Sequence, residues 1–492
     1  MSYLLALDQG TTSSRAIIFD EHGKVHASAQ REIQIHTPQS GWVEQNAQDI
    51  WSTQIAVVQQ AIASARLMAK DIKAIGLTNQ RETTVVWDKR TGHPLAPAIV
   101  WQDRRASEWC NQLIQNQHEH KVSQKTGLRI DPYFSAGKLV WLLKHVDGLR
   151  EQAEQGHVAF GTIDSWLIWN LTQGAEHVIE MSNASRTMLM ELQTQQWDEE
   201  LLALFNIPKS LLPKIVASDA YIANTAKGLL GAEIPITGVL GDQQSALFGQ
   251  SCFEVGTAKN TYGTGCFMLF NTGQEIKASQ NQLLSTLAWQ CHNKPTYALE
   301  GSVFMAGAIV QWLRDGLGII QHSDDVEQLA CTVTQTEGVV LVPAFTGLGA
   351  PHWDSDARAL LCGMSRGTHK AHIARAALES IAFQVSDVLT AMQSDIGHPL
   401  KELRVDGGAS QNDMMMQFQA DILNVPVLRP KMFESTAWGA AAMAGLKAGV
   451  FNDLSEISDS WKLECAFEPQ MSEDQRQYHL KLWNDALNRA KS

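Results

Sequence analysis

The chain has 492 residues, 44% hydrophobic and 18% charged, with a formal net charge of −13. This is a globular composition, too long for one ordinary core, so two large domains are expected, and the acidic balance argues against a nucleic-acid partner. Seven scattered cysteines without a C-x-x-C pair give no disulfide or zinc framework, and no apolar run reaches membrane-spanning length, so a cytoplasmic protein with no membrane insertion is expected.

The amino-terminal MSYLLALDQG has no basic segment ahead of its apolar residues and reads as a first strand. Tyr3 to Asp8, Ala16 to Phe19 and Val25 to Ala29 are apolar runs separated by QGTTSSR and EHGK, the pattern of an antiparallel meander. Ala47 to Met68 reads as a helix, followed by strands at IKAIGLTNQ and TTVVWD. LVWLLKHV reads as helical, and IPITGVLGDQQSALFGQ as strand, sharp turn and helix. The pattern then partly restarts. AKNTYGTGCFMLFNTG is again apolar strand, Gly/Thr turn, apolar strand, a weak repeat of the opening hairpin that puts a boundary near Gln250. The second half alternates strands (VVLVPAF, LRVDGGA, VPVLR) with helices (GAIVQWLRDGL, HIARAALESIAFQVSDVLTAM, AWGAAAMAGLKA). The expected architecture is α/β, a sheet in each of two domains (1–250 and 251–492) with a cleft between them.

Backbone N–H groups in the opening Gly-containing turn can converge on an anion, with Thr11, Thr12, Ser13 and Ser14 adding donors and Arg15 adding charge. Asp8, at the strand end, is placed to hold a phosphate-bound magnesium. Alone, this segment reads first as a turn rich in turn formers. The second turn, Gly263-Thr264-Gly265, shifts that balance, because two hairpins, one per half, can grip one nucleotide phosphate chain from two sides. DGGASQND lies between a strand and a helix. Its paired glycines admit close approach of a ligand, and equally the segment is a tight connection capped by Ser410 or Asn412. In GDQQSAL, Asp242 is either a helix cap or a carboxylate that accepts a proton from a substrate hydroxyl. Arg81 and Glu82 in NQRET, with Trp101 and Tyr133, form either a solvated pair with nearby aromatics or the wall and donors of a small polyol pocket. There is no P-loop, no protein-kinase loop set and no H-E-x-x-H.

DQGTTSSR, NQRET, WQDRR, GDQQ, TYGTGCF and DGGASQND, in this order, together with YFSAGKLVWLLKH and ALLCGMSRGTHKAHIARAALE, resemble the glycerol kinases of the FGGY carbohydrate-kinase family. The resemblance spans nearly the whole chain and fades after about Val450. It implies two actin-like (ribonuclease H-like) ATPase domains flanking a deep cleft. The implied activity is transfer of the γ-phosphoryl of ATP to glycerol, with Mg2+ as the accompanying metal. Matched motif positions imply glycerol contacts at Arg81, Glu82, Trp101, Tyr133, Asp242, Gln243 and Phe267, with Asp242 as catalytic base and Asp8 serving the metal. Thr11, Thr12, Ser13, Arg15, Thr264 and Gly265 are implied at the phosphates, and Gly307, Gln311, Gly408 and Asn412 at the nucleotide. A homodimer or homotetramer is the implied assembly. Some relatives are inhibited by fructose 1,6-bisphosphate through a loop arginine, and others are activated by phosphorylation of a histidine. Here the loop reads AKGLLGAEIP, with Glu233 near the arginine position, and MELQTQQW holds no histidine, so neither control is expected. A pentulose or hexulose kinase of the same fold, and an actin-like ATPase without an acceptor, are the competing readings.

Overall fold

The computed structural model describes residues 2–354 and 356–491. Two mixed sheets organise the chain. The first contains β1 (Tyr3–Gln9), β2 (Ser13–Asp20), β3 (Val25–Glu32), β4 (Ile72–Asn79), β5 (Ala223–Asn224) and β6 (Pro235–Gly241), in the order β5-β6-β4-β1-β2-β3. β1, β2 and β3 are the antiparallel meander expected from the sequence. β4 and β6 add on in parallel. β1 and β4 are covered on both faces, which is why LLAL and AIGL read as continuous apolar runs and not as alternating ones.

The second sheet contains β7 (Thr257–Tyr262), β8 (Cys266–Gly273), β9 (Leu284–Cys291), β10 (Lys294–Val303), β11 (Glu402–Asp406), β12 (Val427–Pro430) and β13 (Leu463–Phe467), in the order β9-β10-β8-β7-β11-β12-β13. It repeats the logic of the first: the β7–β8 hairpin is antiparallel, and β11 and β12 follow in parallel. The place of β3 is taken by β10, which pairs antiparallel with β8 after the chain has first laid down β9. That inserted strand blurs the repeat in the sequence.

Helix α1 (Ala47–Ser64) covers β2 and β3. It stops short of the expected Met68 because Arg66 turns the backbone left-handed, at φ 56°. Of TTVVWD, only Val85–Asp88 is a strand, and it pairs with Val158–Gly161 outside the main sheet, where Trp87 packs edge-on to Trp166. Helix α2 (Asp242–Gly249) follows β6 directly. In the second half α3 (Gly307–Gln311) follows the end of β10, the long α4 (Lys370–Ile396) crosses β10 and β8, and α5 (Asp413–Leu423) packs on α4.

Helix α6 (Ser435–Lys447) comes late in the chain yet packs on β1, β4 and β6 of the first sheet and on α2. Gly76 and Gly238 make this possible: a Cβ on either would meet the α6 backbone, at 2.1 Å from the Ala440 carbonyl oxygen and 2.4 Å from the Ala444 nitrogen respectively. The resulting core joins Leu4, Ala6, Phe19 and Ala74 to Ala437, Trp438 and Ala441, and reaches Leu269 and Trp289 of the second sheet. The two sheets therefore share a buried seam. Among the described residues, no helix is long and apolar enough to cross a membrane.

Candidate active site

The β1–β2 hairpin closes through a backbone bond from the Gly10 N–H to the Ser13 carbonyl, 2.9 Å. The register sets Asp8 opposite Arg15. Arg15 lies 3.6 Å from Asp8 and 2.5 Å from Glu434, which precedes α6, so its guanidinium is held between two carboxylates, and its buried Nε has no protein partner. Burial pushes the Asp8 carboxyl up to about 6; Arg15 opposes this, while Glu434 and Asp242 add to it. Thr12 is exposed, Thr11 and Ser13 are partly so, and the hairpin tip is open to a ligand. The second hairpin, between β7 and β8, mirrors the first. Its Gly263 and Thr264 carbonyls accept the backbone N–H groups of Gly307, Ala306 and Ala308, which ties the turn to the start of α3. A Cβ on Gly265 would lie 2.4 Å from the Val303 carbonyl oxygen, so glycine is needed for the turn to sit against β10.

Asp242 is the first residue of α2, and Gly241 occupies the cap position without a side-chain bond. The cap reading of Asp242 is thereby displaced: the backbone N–H its Oδ1 accepts is that of the adjacent Gln243, 2.7 Å, and the side chain remains 31% exposed. Arg81 Nε lies 3.3 Å from the Asp242 carboxylate. Burial raises the Asp242 carboxyl, with Arg81 and Lys259 pulling it back down.

Around this pair the sequence-selected residues converge. Trp101 meets Tyr133 and Phe267 edge-on, at ring-centroid distances of 5.7 and 6.4 Å. Tyr133 Oη accepts from Arg81 at 3.4 Å. Glu82 is buried, with its backbone at φ 59°. Gln243 Oε1 accepts from Lys259, whose Nζ also donates to Thr261 Oγ1 and to the Phe267 carbonyl. Trp101 Nε1 donates to Thr11 Oγ1 at 2.9 Å, so the aromatic wall is bonded to the first hairpin.

Sequence reasoning missed the charges that hold this pocket. Arg186, in NASRTML, donates to Glu82 at 2.7 Å and to Glu300 at 2.8 Å. Glu300, on β10, also takes both terminal nitrogens of Arg81, at 2.5 and 3.1 Å. Burial alone would raise the Glu300 carboxyl, but Arg186 and Arg81 together hold it at about 2. Burial raises Glu82 against the pull of the same two arginines. Lys259, on β7, is lowered to about 8 by burial, with Asp406 and Asp242 opposing. The available signal was a charge inside an otherwise strand-like run, as in AKNTY and YALEGSV.

The remaining expected positions lie in the second half. Gln311 ends α3 with an exposed side chain, and Gly408 is exposed with open space around its Cα. Gly407, at φ 87°, packs on the Tyr262 backbone and so brings the DGGAS turn against the second hairpin. Asn412 caps α5 by accepting the Met415 N–H at 2.8 Å; Ser410 does not take that role.

A buried carboxylate supports the strand end that carries Asp242. Glu180 accepts from Ser182 Oγ and Ser218 Oγ, each at 2.5 Å, and Ser182 Oγ in turn accepts the Gly241 N–H at 2.9 Å. Burial pushes the Glu180 carboxyl up to about 7, with the serine hydroxyls opposing. A carboxyl raised on folding binds an extra proton in the native state. Its contribution is therefore complete at low pH and is lost as pH rises through about 7. In denaturant titrations at about pH 6 and about pH 8, wild type is expected to lose stability over that interval relative to Glu180→Gln, on the order of 1 kcal/mol. Parallel curves for the two proteins would refute the assignment.

Taken together, the site offers two glycine-containing hairpin turns, one in each half, a carboxylate on the first hairpin strand, and a second carboxylate, Asp242, beside the Trp101, Tyr133 and Phe267 rings and the Arg81 guanidinium. Residues 3–249 match the N-terminal domain of the FGGY family of carbohydrate kinases, and residues 258–448 match its C-terminal domain. The chain is 78% identical over 492 residues to a glycerol kinase of Acinetobacter baylyi, covering 100% of this chain and 99% of that protein. It is 57% identical over 489 residues to a glycerol kinase of Deinococcus radiodurans, covering 99% and 97%. The crystal structure of Plasmodium falciparum glycerol kinase with ADP superimposes with a TM-score of 0.95 at 37% identity, covering 100% of this chain and 98% of that one.

Proposed function

This chain belongs to the FGGY family of carbohydrate kinases, and from that premise we propose how it phosphorylates glycerol with ATP. Glycerol lies against Trp101, Tyr133 and Phe267, with its hydroxyls bonded by Arg81, Glu82, Asp242 and Gln243. Asp242 faces the C3 hydroxyl and takes its proton, so the product is sn-glycerol 3-phosphate. Thr11, Thr12, Ser13 and Arg15 cradle the phosphates from the first half, and Thr264 and Gly265 from the second. Gly307, Gln311, Gly408 and Asn412 contact the rest of the nucleotide. In this division of labour residues 1–250 bring the acceptor pocket and first hairpin, and residues 251–492 bring the second hairpin and adenosine site. Seven free cysteines suit a reducing cytoplasm.

Transfer is in line through a loose transition state, which asks chiefly for alignment and for charge stabilisation. A weak base suffices if the hydroxyl proton leaves late. Mg2+ fits the donor chemistry: Asp8, on the strand that leads into the first hairpin, is a carboxylate and so a hard oxygen donor. Asp8 would hold the ion, which would supply charge neutralisation on the phosphates. The observation that carries the reading is the position of Asp242. Arg81 binds it at 3.3 Å from the pocket side, and Trp101 of the same pocket donates to Thr11 of the first hairpin at 2.9 Å, so acceptor site and hairpin are bonded together around this carboxylate.

The test is ADP release with ATP and magnesium, run without acceptor and with glycerol, xylulose or gluconate. Release dependent on glycerol supports the reading. A ketose in place of glycerol overturns the acceptor, and acceptor-independent hydrolysis alone overturns the transferase. A narrower prediction concerns the wall. Trp101→Phe keeps an aromatic wall, smaller by the pyrrole half of the indole, and removes the N–H that reaches Thr11. The loss of kcat/KM for glycerol is expected to be about three- to tenfold, the worth of one such hydrogen bond. Unchanged kcat/KM would show that the bond does not couple wall to hairpin.

A further inference from the structure

The acceptor pocket is assembled from both halves of the chain. Arg81, Glu82 and Arg186 come from the first half, whereas Glu300 arrives on β10 of the second sheet. All four are buried, at 3%, 1%, 0% and 2% exposure, so each charge depends on its neighbours for compensation. We propose that Glu300 is a positioning residue that assembles the acceptor pocket as the two halves come together, by locking the Arg81 guanidinium in place. This rests on the reading of the pocket as the glycerol site.

The geometry is that of a fork. Glu300 Oε2 takes Arg81 Nη1 at 2.5 Å, and Oε1 takes Nη2 at 3.1 Å, a two-point contact that fixes the plane of the guanidinium. With its end held, Arg81 presents Nε to Asp242 at 3.3 Å and a terminal N–H to Tyr133 at 3.4 Å. Gln244 adds a third hold on Nη1, at 3.2 Å. Arg186 braces the other side by donating to Glu300 Oε1 and to Glu82 Oε1. The acceptor-facing edge of Arg81 is thus oriented by a carboxylate that belongs to the other sheet. If β10 moves away with its half, the fork opens and Arg81 is left with Gln244, Tyr133 and acidic neighbours on its own side.

An ion pair that merely stapled the halves together would stabilise the fold without distinguishing one substrate from another. The test is therefore a split between substrates. In Glu300→Gln the KM for glycerol is expected to rise about a hundredfold, since a buried charged partner has been removed. The KM for ATP, whose proposed contacts do not include this network, should change less than about threefold. Glu300→Asp keeps the charge but is one methylene too short to hold both nitrogens, so it should show the same split to a smaller degree. It also serves as the test if the glutamine variant does not fold. Equal rises in both KM values, or an unchanged KM for glycerol, would overturn the proposal. Wild-type enzyme that shows no glycerol-dependent ADP release would instead overturn the pocket reading, and the proposal with it.

Discussion

Asp242→Asn is expected to lose about 10³-fold in turnover while still binding glycerol, the middle of the range for removing a positioned general base. The substitution is isosteric. An amide oxygen can still accept the Gln243 N–H that the carboxylate accepts at 2.7 Å, so the start of α2 should hold its shape. What disappears is the negative charge between Arg81 and Lys259 and the ability to take a proton. Burial raises the native carboxyl while those two cations oppose it. Because the transition state is loose, most of the rate comes from alignment, and the variant should retain activity above background. Steady-state kinetics and calorimetric titration with glycerol would decide the matter. Turnover within about tenfold of wild type would remove Asp242 from the role of base. Loss of glycerol binding equal to the loss of turnover would make it a binding residue only.

The reach and the limits of the sequence reading have physical causes. The opening meander was legible because its apolar runs are bounded by turn formers, and the β7–β8 hairpin because it repeats that pattern. The strand-to-helix junction at Asp242 was legible too, since apolar strand, Gly-Asp and helix-forming residues follow one another directly. Arg81, Glu82, Trp101, Tyr133, Gln243 and Phe267 were found as motif residues, and they do come together around Asp242. The supporting charges were not legible. Glu300 lies 219 positions from Arg81 and Arg186 lies 104 from Glu82, and no local pattern encodes a partner at that distance. The same holds for α6. Its amphipathic signal is weak because it is covered nearly all round, so its sequence says only that it is buried. That it is buried against the first sheet follows from Gly76 and Gly238, whose missing side chains leave room for it.

Gly439→Ala should be among the most destabilising single changes in the chain, although alanine ordinarily favours a helix by about 1 kcal/mol over glycine. Gly439 lies within α6, where a Cβ would sit 1.9 Å from the Ser245 carbonyl oxygen and 2.7 Å from its carbon. The facing position on α2 is also a glycine: a Cβ on Gly249 would lie 2.0 Å from the Ser435 carbonyl oxygen. The two helices therefore cross with backbone against backbone, and Ser245 Oγ secures the crossing by donating to the Thr436 carbonyl at 2.6 Å. No rotamer change relieves a clash with backbone, so the helices must separate, and the cost is expected to be about 3 kcal/mol or more. Function should fall as well, because α2 begins with Asp242 and the residue before α6, Glu434, holds Arg15 of the first hairpin at 2.5 Å. Separating the helices moves the base and the hairpin apart. Differential scanning calorimetry should show a lowered transition, and kcat measured well below that transition should still be reduced. A variant that melts with wild type would mean that the crossing is looser than these distances allow. One that melts early but turns over normally would mean that the seam supports the fold without aligning the site.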